Sequence, residues 1–395
     1  MKIKKIAVIG AGAMGHGITQ VAAMAGFEVR MRDINEEVLA KAMERIKWSL
    51  GKLAEKGRIR EDEVGKIEER IYPVVPLRKA VQGVDYVIEA VPEILKLKLE
   101  TFDEIDEGAP EHAILATNTS ALPVSEIAQS TRRMDKVIGM HFFNPAQLMR
   151  LVEVVMGEKT SHETCQATIE LTKKFGKEPV ICRKDIPGFI GNRITIAATN
   201  LVCWMVYNGE HTIEEVDAAM IQKAGMPMGV FALMDYTGID IAGHVLKFMA
   251  EREAHFEACP LMLEKLEQGD LGYKTGKGFY TYPEKGQWVM PQIDLQKAEK
   301  FDPMTQTYVV TNMAAELIRN EVATIEDIDK TMKLGFNIPM GVLELADIIG
   351  IDTVVSKLRE FEKKYGPYYK PSSLLEKMVE KKELGTKSQK GFYKY

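Results

Sequence analysis

Residues 5–33, KIAVIGAGAMGHGITQVAAMAGFEVRMRD, constrain the fold of this chain more than any other stretch. Ile6 to Ile9 is a short apolar run of the buried-strand kind. Gly10, Gly12 and Gly15 follow at the spacing G-x-G-x-x-G, with Met14 inside the turn, before an Ala/Met/Val-rich helical stretch. In such a turn the first glycine permits the reversal, the second lets backbone approach a pyrophosphate, and the third lets the helix close on the strand. The anion rests on the free N–H groups and positive dipole end of the helix. A second apolar segment, 27–31, leads to Asp33, about 20 residues past the turn, where a carboxylate accepts from both ribose hydroxyls and repels a 2′-phosphate. NAD is therefore expected over NADP, with Gly10, Gly12, Met14, Gly15 and Asp33 as cofactor-binding candidates. Arg32 is the neighbour that would favour the phosphate.

With 395 residues the chain has room for two or three domains. Its net charge of −5 implies no general attraction to nucleic acid. No apolar run approaches membrane-spanning length, so no membrane partner is expected. Cys165, Cys182, Cys203 and Cys259 are scattered without a C-x-x-C pair and read as small buried residues in a reducing compartment. The N-terminal segment reads as the first strand and helix of a cytoplasmic protein, because glycines interrupt its apolar run and charges follow. The seven histidines form no H-x-x-x-H or H-E-x-x-H pair, so no metal site is expected.

Beyond Asp33 the pattern predicts a helix over 36–58. Lys41, Arg45, Lys52 and Lys56 share one of its faces, a stripe that would draw a phosphate-rich ligand; a solvated helix face is the commoner meaning of such a run. Strand-like runs at 71–75, 84–90 and 113–117 then alternate with helical ones, which argues for a doubly wound parallel sheet covered on both faces, a Rossmann-like α/β architecture. Ligand groups gather where such strands end, here at 89–93 and at 117–120, which includes Asn118. Residues 136–144 read as a strand carrying His141, Asn144-Pro145 as a turn, and 150–156 as a strand returning with Glu153. The turn would bring Glu153 back beside His141, although a buried structural histidine is the ordinary alternative. A helix at 161–175 and a last strand at 178–181 precede the breaker cluster 185–191, taken as a domain boundary, with Asn192 in the first turn of the helix beyond.

Everything after that boundary occurs twice. Asp217, Met226-Pro-Met-Gly-Val230, Asp235 and Gly238-Ile-Asp240 recur as Asp329, Ile338-Pro-Met-Gly-Val342, Asp347 and Gly350-Ile-Asp352, at a constant offset of 112. Both copies end in Lys-Gly-Phe-Tyr, at 277–280 and 390–393. The sequence thus predicts a Rossmann-like domain over 1–186 followed by two tandem all-α domains, over 187–298 and 299–395. The second copy lacks the Gly-Phe-Ile-Gly-Asn-Arg signature, so one active site per chain is expected, with the second copy as a structural partner.

Taken together, GAGAMGHGI, EAVPE, NTSAL, HFFNP followed by LVEV, DIPGFIGNR and KTGKGFY make the chain resemble the L-3-hydroxyacyl-CoA dehydrogenases over essentially its full length. The resemblance implies NAD-dependent oxidation of a 3-hydroxyacyl-CoA, with Ser120, His141, Glu153 and Asn192 forming the active site. It also implies NAD near Asp33, Glu93, Lys98, Ser120 and Asn144, and coenzyme A near Ser49, Lys56 and Ser120. The family's lysine ahead of Gly-Phe-Tyr contacts NAD, and both Lys274 and Lys387 fit that description. An acyl-CoA substrate is expected, with the chain as a pseudo-dimeric monomer or a homodimer. A dehydrogenase of a free hydroxy acid and a non-catalytic NAD-binding protein are the alternatives.

Overall fold

A computed structural model of the chain describes residues 2–395. The chain divides into two compact units, Met1–Phe189 with Lys330–Pro339, and Ile190–Asp329 with Met340–Tyr395.

The first unit is built from β1 (Lys5–Ile9), α1 (Gly15–Met24), β2 (Glu28–Arg32), α2 (Glu36–Glu55), α3 (Glu61–Glu68), β3 (Ile71–Val74), α4 (Leu77–Val81), β4 (Tyr86–Glu89), α5 (Leu95–Gly108), β5 (Ile114–Thr117), α6 (Val124–Ala128), β6 (Val137–Phe142), β7 (Leu151–Val155), α7 (His162–Lys174) and β8 (Glu178–Cys182). The strands make one sheet in the order β3-β2-β1-β4-β5-β6-β7-β8. Among the described residues all pairings are parallel except β6 with β7. The order reverses between β1 and β4, which is where this architecture opens its ligand crevice. Strands β4, β5, β6 and β7 are buried at every residue, as a sheet covered on both faces requires.

Helix α2 is started by Asn35, whose side chain accepts from Val38 N at 2.9 Å, and it ends at Glu55 rather than near Arg58. Lys56 accordingly stands just past the helix. Helix α7 is capped in the same way by Ser161.

The second unit is helical: α8 (Gly191–Tyr207), α9 (Ile213–Gln222), α10 (Val230–Thr237), α11 (Ile239–Arg252) and α12 (Pro260–Gln268), then α13 (Met304–Arg319), α14 (Ile325–Phe336), α15 (Val342–Ile349), α16 (Ile351–Tyr365) and α17 (Ser373–Glu380). Its repeated aspartates have a structural meaning. Asp217 accepts from Phe231 N, Ala232 N and Tyr280 Oη, each at 2.9 Å. Asp329 repeats this with Leu343 N, Glu344 N and Tyr393 Oη. Asp235 and Asp347 each take two backbone N–H groups from the Gly-Phe-Tyr endings and the hydroxyl of a tyrosine two residues further on, Tyr282 or Tyr395. Each carboxylate thereby satisfies otherwise orphaned buried donors. The four cysteines are buried and free. No helix among the described residues is long and apolar enough to cross a membrane.

Candidate active site

The glycine turn follows β1, and its three glycines are required for different reasons. Gly10 has φ +100°, and a Cβ there would lie 2.5 Å from Ala90 O. A Cβ on Gly15 would lie 1.7 Å from Gly10 O, so this glycine is demanded by the turn's own carbonyl more than by the strand. A Cβ on Gly12 would meet nothing within 4 Å, which leaves the turn open at the position where a pyrophosphate approaches. Met14 stands at the start of α1. Asp33, directly after β2, reaches back across the turn: Oδ2 accepts from Ala11 N and Oδ1 from Ile34 N, both at 2.7 Å. Arg32 donates Nε to Val75 O at 3.1 Å and is engaged on the far side of β2. An open glycine turn with a carboxylate at the second strand end suits the diphosphate and ribose of NAD.

At the ends of β4 and β5 lies a dense polar network. Glu89, wholly buried, accepts from Lys98 Nζ and Val91 N at 2.7 Å through Oε1 and from Thr117 Oγ1 at 2.7 Å through Oε2. Lys98 is buried as well, contacts Val91 O, and lies 3.3 Å from Glu93 Oε2. Glu93 Oε1 accepts from Thr119 Oγ1 at 2.6 Å and Ser120 N at 2.7 Å. Lys98 thus binds two carboxylates, the condition under which a buried ammonium is tolerated. Lys98 and Glu93 here brace the loop that presents Ser120. Asn118 has a bracing contact too: its Oδ1 accepts from Phe142 N at 2.9 Å, one residue past His141.

His141 and Glu153 are directly opposed in the antiparallel register of β6 and β7. His141 Nδ1 and Glu153 Oε2 are 2.6 Å apart, with the histidine 5% and the glutamate 0% exposed. Phe143 and Phe189 flank the imidazole, with ring centroids 4.9 and 5.8 Å away. The loop joining the two strands contains the exposed Asn144 and is pinned by Lys177, whose ammonium donates to Ala146 O at 2.7 Å and Met149 O at 2.6 Å. Burial pulls Lys177 down to about 8.

The remaining candidates lie elsewhere. Ser49 is buried on α2, and Lys56 is exposed just after it. On the basic stripe, Lys41 pairs with Glu37 at 2.6 Å and Lys52 with Glu55 at 2.7 Å, so half of its charge is compensated on the surface. Asn192 is in the first turn of α8, in the second unit. Lys274 and Lys387 occupy equivalent places, paired with Asp240 and Asp352. Sequence reasoning did not single out Lys177, and it took Glu89 and Thr119 only as parts of strand ends. An acid directly after the run Tyr86-Val87-Ile88 was the available signal for Glu89. No group of three or more His, Cys, Asp or Glu side chains among the described residues is arranged to hold a metal ion.

Comparison with known proteins shows the family. The sequence model of the 3-hydroxyacyl-CoA dehydrogenase NAD binding domain matches residues 5–186, and that of the C-terminal domain matches 188–282 and 307–395. A probable 3-hydroxybutyryl-CoA dehydrogenase of Bacillus subtilis is 42% identical over 287 residues, covering 72% of this chain and 99% of the relative. The mitochondrial hydroxyacyl-coenzyme A dehydrogenase of Homo sapiens is 38% identical, covering 71% and 91%. Among solved structures, a 3-hydroxybutyryl-CoA dehydrogenase of Escherichia coli K12 superposes with a TM-score of 0.85 at 27% identity, covering 96% of this chain and 98% of the other. The chain therefore belongs to the 3-hydroxyacyl-CoA dehydrogenase family and uses NAD as its cofactor.

Proposed function

We propose that this dehydrogenase interconverts (S)-3-hydroxyacyl-CoA and 3-oxoacyl-CoA with His141 as general base, Glu153 as its orienting partner, and Ser120 and Asn192 as donors to the reacting oxygen. The observation that carries this reading is the buried imidazole–carboxylate contact of 2.6 Å on the sheet that also holds the glycine turn. With Nδ1 committed to a carboxylate, the neutral ring carries its proton there and its lone pair on Nε2. Nε2 takes the 3-hydroxyl proton in the oxidative direction and returns it in reduction. Glu153 stabilises the imidazolium without itself taking a proton. NAD, when bound, supplies the acceptor for the C3 hydride. Gly10, Gly12, Met14, Gly15 and Asp33 would hold its diphosphate and adenosine ribose. Glu93, Lys98, Asn118, Ser120, Asn144 and either Lys274 or Lys387 complete the cofactor set in this reading.

The acyl carrier is coenzyme A, contacted by Ser49, Lys56 and Ser120. The domain limits 1–186, 187–298 and 299–395, a cytoplasmic location, the absence of nucleic-acid and membrane partners, and a monomeric or homodimeric state belong to the same proposal.

The names of the relatives make acetoacetyl-CoA the first substrate to assay. NADH oxidation followed by absorbance should be rapid with acetoacetyl-CoA and slow with acetoacetate. Equal turnover of the two would instead mark a dehydrogenase of free hydroxy acids. No turnover of either, nor of longer 3-oxoacyl-CoAs, would leave a non-catalytic NAD-binding protein.

A further inference from the structure

The second helical copy does more than repeat the first. Lys330–Pro339, which includes the C-terminal half of α14, belongs to the sheet-bearing unit. Its Phe336 ring meets Phe143 edge-on, with centroids 5.6 Å apart and planes at 82°. Phe143 in turn lies 4.9 Å from the His141 ring. The residue before Phe336 is Gly335, and a Cβ there would stand 2.8 Å from Phe143 Cε1 and 3.0 Å from Leu151 Cδ2. A side chain there would have to push the tip of the Phe143 ring and the Leu151 methyl aside, so glycine gives the closest approach to the hairpin that carries His141 and Glu153. Lys330 adds an ion pair to Glu178 on β8, at 3.7 Å.

At the positions equivalent to Gly335 and Phe336, 112 residues earlier, the first copy has Lys223 and Ala224. There Lys223 turns instead to Glu299 and Phe301 O within the helical unit. The two copies have diverged where the second meets the hairpin.

We infer that Phe336 is a positioning residue for the reaction: through Phe143 it fixes the plane and place of the His141 imidazole. This rests on His141 being the general base. An edge-on aromatic contact restricts the ring it touches more than an aliphatic one does, because the ring quadrupoles favour one relative orientation. A displacement of the base of about 1 Å is enough to cost up to about a hundredfold in rate.

The test uses the full-length enzyme with acetoacetyl-CoA and NADH. Phe336→Ala should lower kcat about tenfold, leaving the NADH dissociation constant, read by fluorescence titration, and the KM for acetoacetyl-CoA within about threefold. Phe336→Tyr should restore kcat and Phe336→Leu should not. Gly335→Ala should reproduce the loss of kcat by pushing on the Phe143 ring. Lys223→Ala, at the matching place in the first copy, should leave kcat unchanged. Wild-type kcat in Phe336→Ala would overturn the inference. So would full rescue by leucine, a fall in activity that only tracks loss of folded protein, or an equal loss in Lys223→Ala. His141→Ala is assayed in parallel: if it stays active, the base assignment fails, whereas an inactive His141→Ala beside an active Phe336→Ala defeats only the positioning role.

Discussion

His141 on β6 and Glu153 on β7 face each other across the antiparallel junction of the sheet, Nδ1 to Oε2 at 2.6 Å, in a place closed to solvent. The reversal of β7 is what allows this. Side chains of directly opposed residues in an antiparallel pair project on the same face within contact distance. Glu153→Gln retains an acceptor but removes the charge that offsets the imidazolium and permits the wrong tautomer. Its kcat should fall by roughly 10²–10⁴, with NADH affinity retained, as steady-state kinetics and NADH titration would show.

His141→Ala removes the proton acceptor itself. A drop in kcat of roughly 10²–10⁴ is expected, with the NADH dissociation constant changed by no more than about threefold. A variant with near wild-type kcat would take His141 out of the base role.

The glycine turn separates folding from cofactor binding. Gly12→Ala places its methyl in open space, so thermal unfolding of the protein without NADH should be unchanged while NADH binding weakens at least about tenfold. Gly15→Ala drives a methyl into Gly10 O and should lower the melting temperature as well. Calorimetry alongside NADH titration distinguishes the two.

Lys56→Glu reverses an exposed charge just past α2. KM for acetoacetyl-CoA should rise about three- to tenfold and more at low salt. KM for an acyl-pantetheine, which lacks the nucleotide, should not change. Equal effects on both substrates would reduce the basic stripe to a solvated surface.

Burial pushes Asp217 up to about 6, despite three hydrogen bonds, and the nearby Asp235 adds to the shift. Because the native state holds this proton more tightly than the unfolded chain, the group's contribution favours folding most below pH ~4. It is lost as pH rises towards 6, by an amount on the order of 3 kcal/mol. Asp217→Asn abolishes the titration. The stability difference between wild type and this variant should therefore shift against the wild type between about pH 4 and 6.5, measured by urea unfolding; a flat difference would place Asp217 at its ordinary value.

The glycine turn, the acid after the second strand and the returning strand are readable in the sequence because each depends on neighbours within a few residues or on strict alternation of strand and helix. The bracing of Ser120 is not. Glu93 and Ser120 are 27 residues apart, Asn118 and Phe142 24, and nothing local marks which polar group will meet which. The sequence pattern extends α2 too far because Lys56 and Arg58 suit a helix as well as they suit its end. The basic stripe likewise looks more charged in sequence than it is, since Glu37 and Glu55 reach Lys41 and Lys52 along the helix.

The strand–helix alternation, the cofactor turn, the duplication and the residue types available for proton transfer follow from the sequence alone, because periodicity, glycine spacing and a fixed offset are one-dimensional properties. Tertiary structure decided which groups meet. It set Glu153 against His141 and matched Lys98 with two carboxylates. It also placed 330–339 with the sheet-bearing unit, where Gly335 lies close against the side chains of Phe143 and Leu151. Those outcomes depend on close packing between segments far apart in the chain, where a single methyl or one hydrogen bond chooses the arrangement.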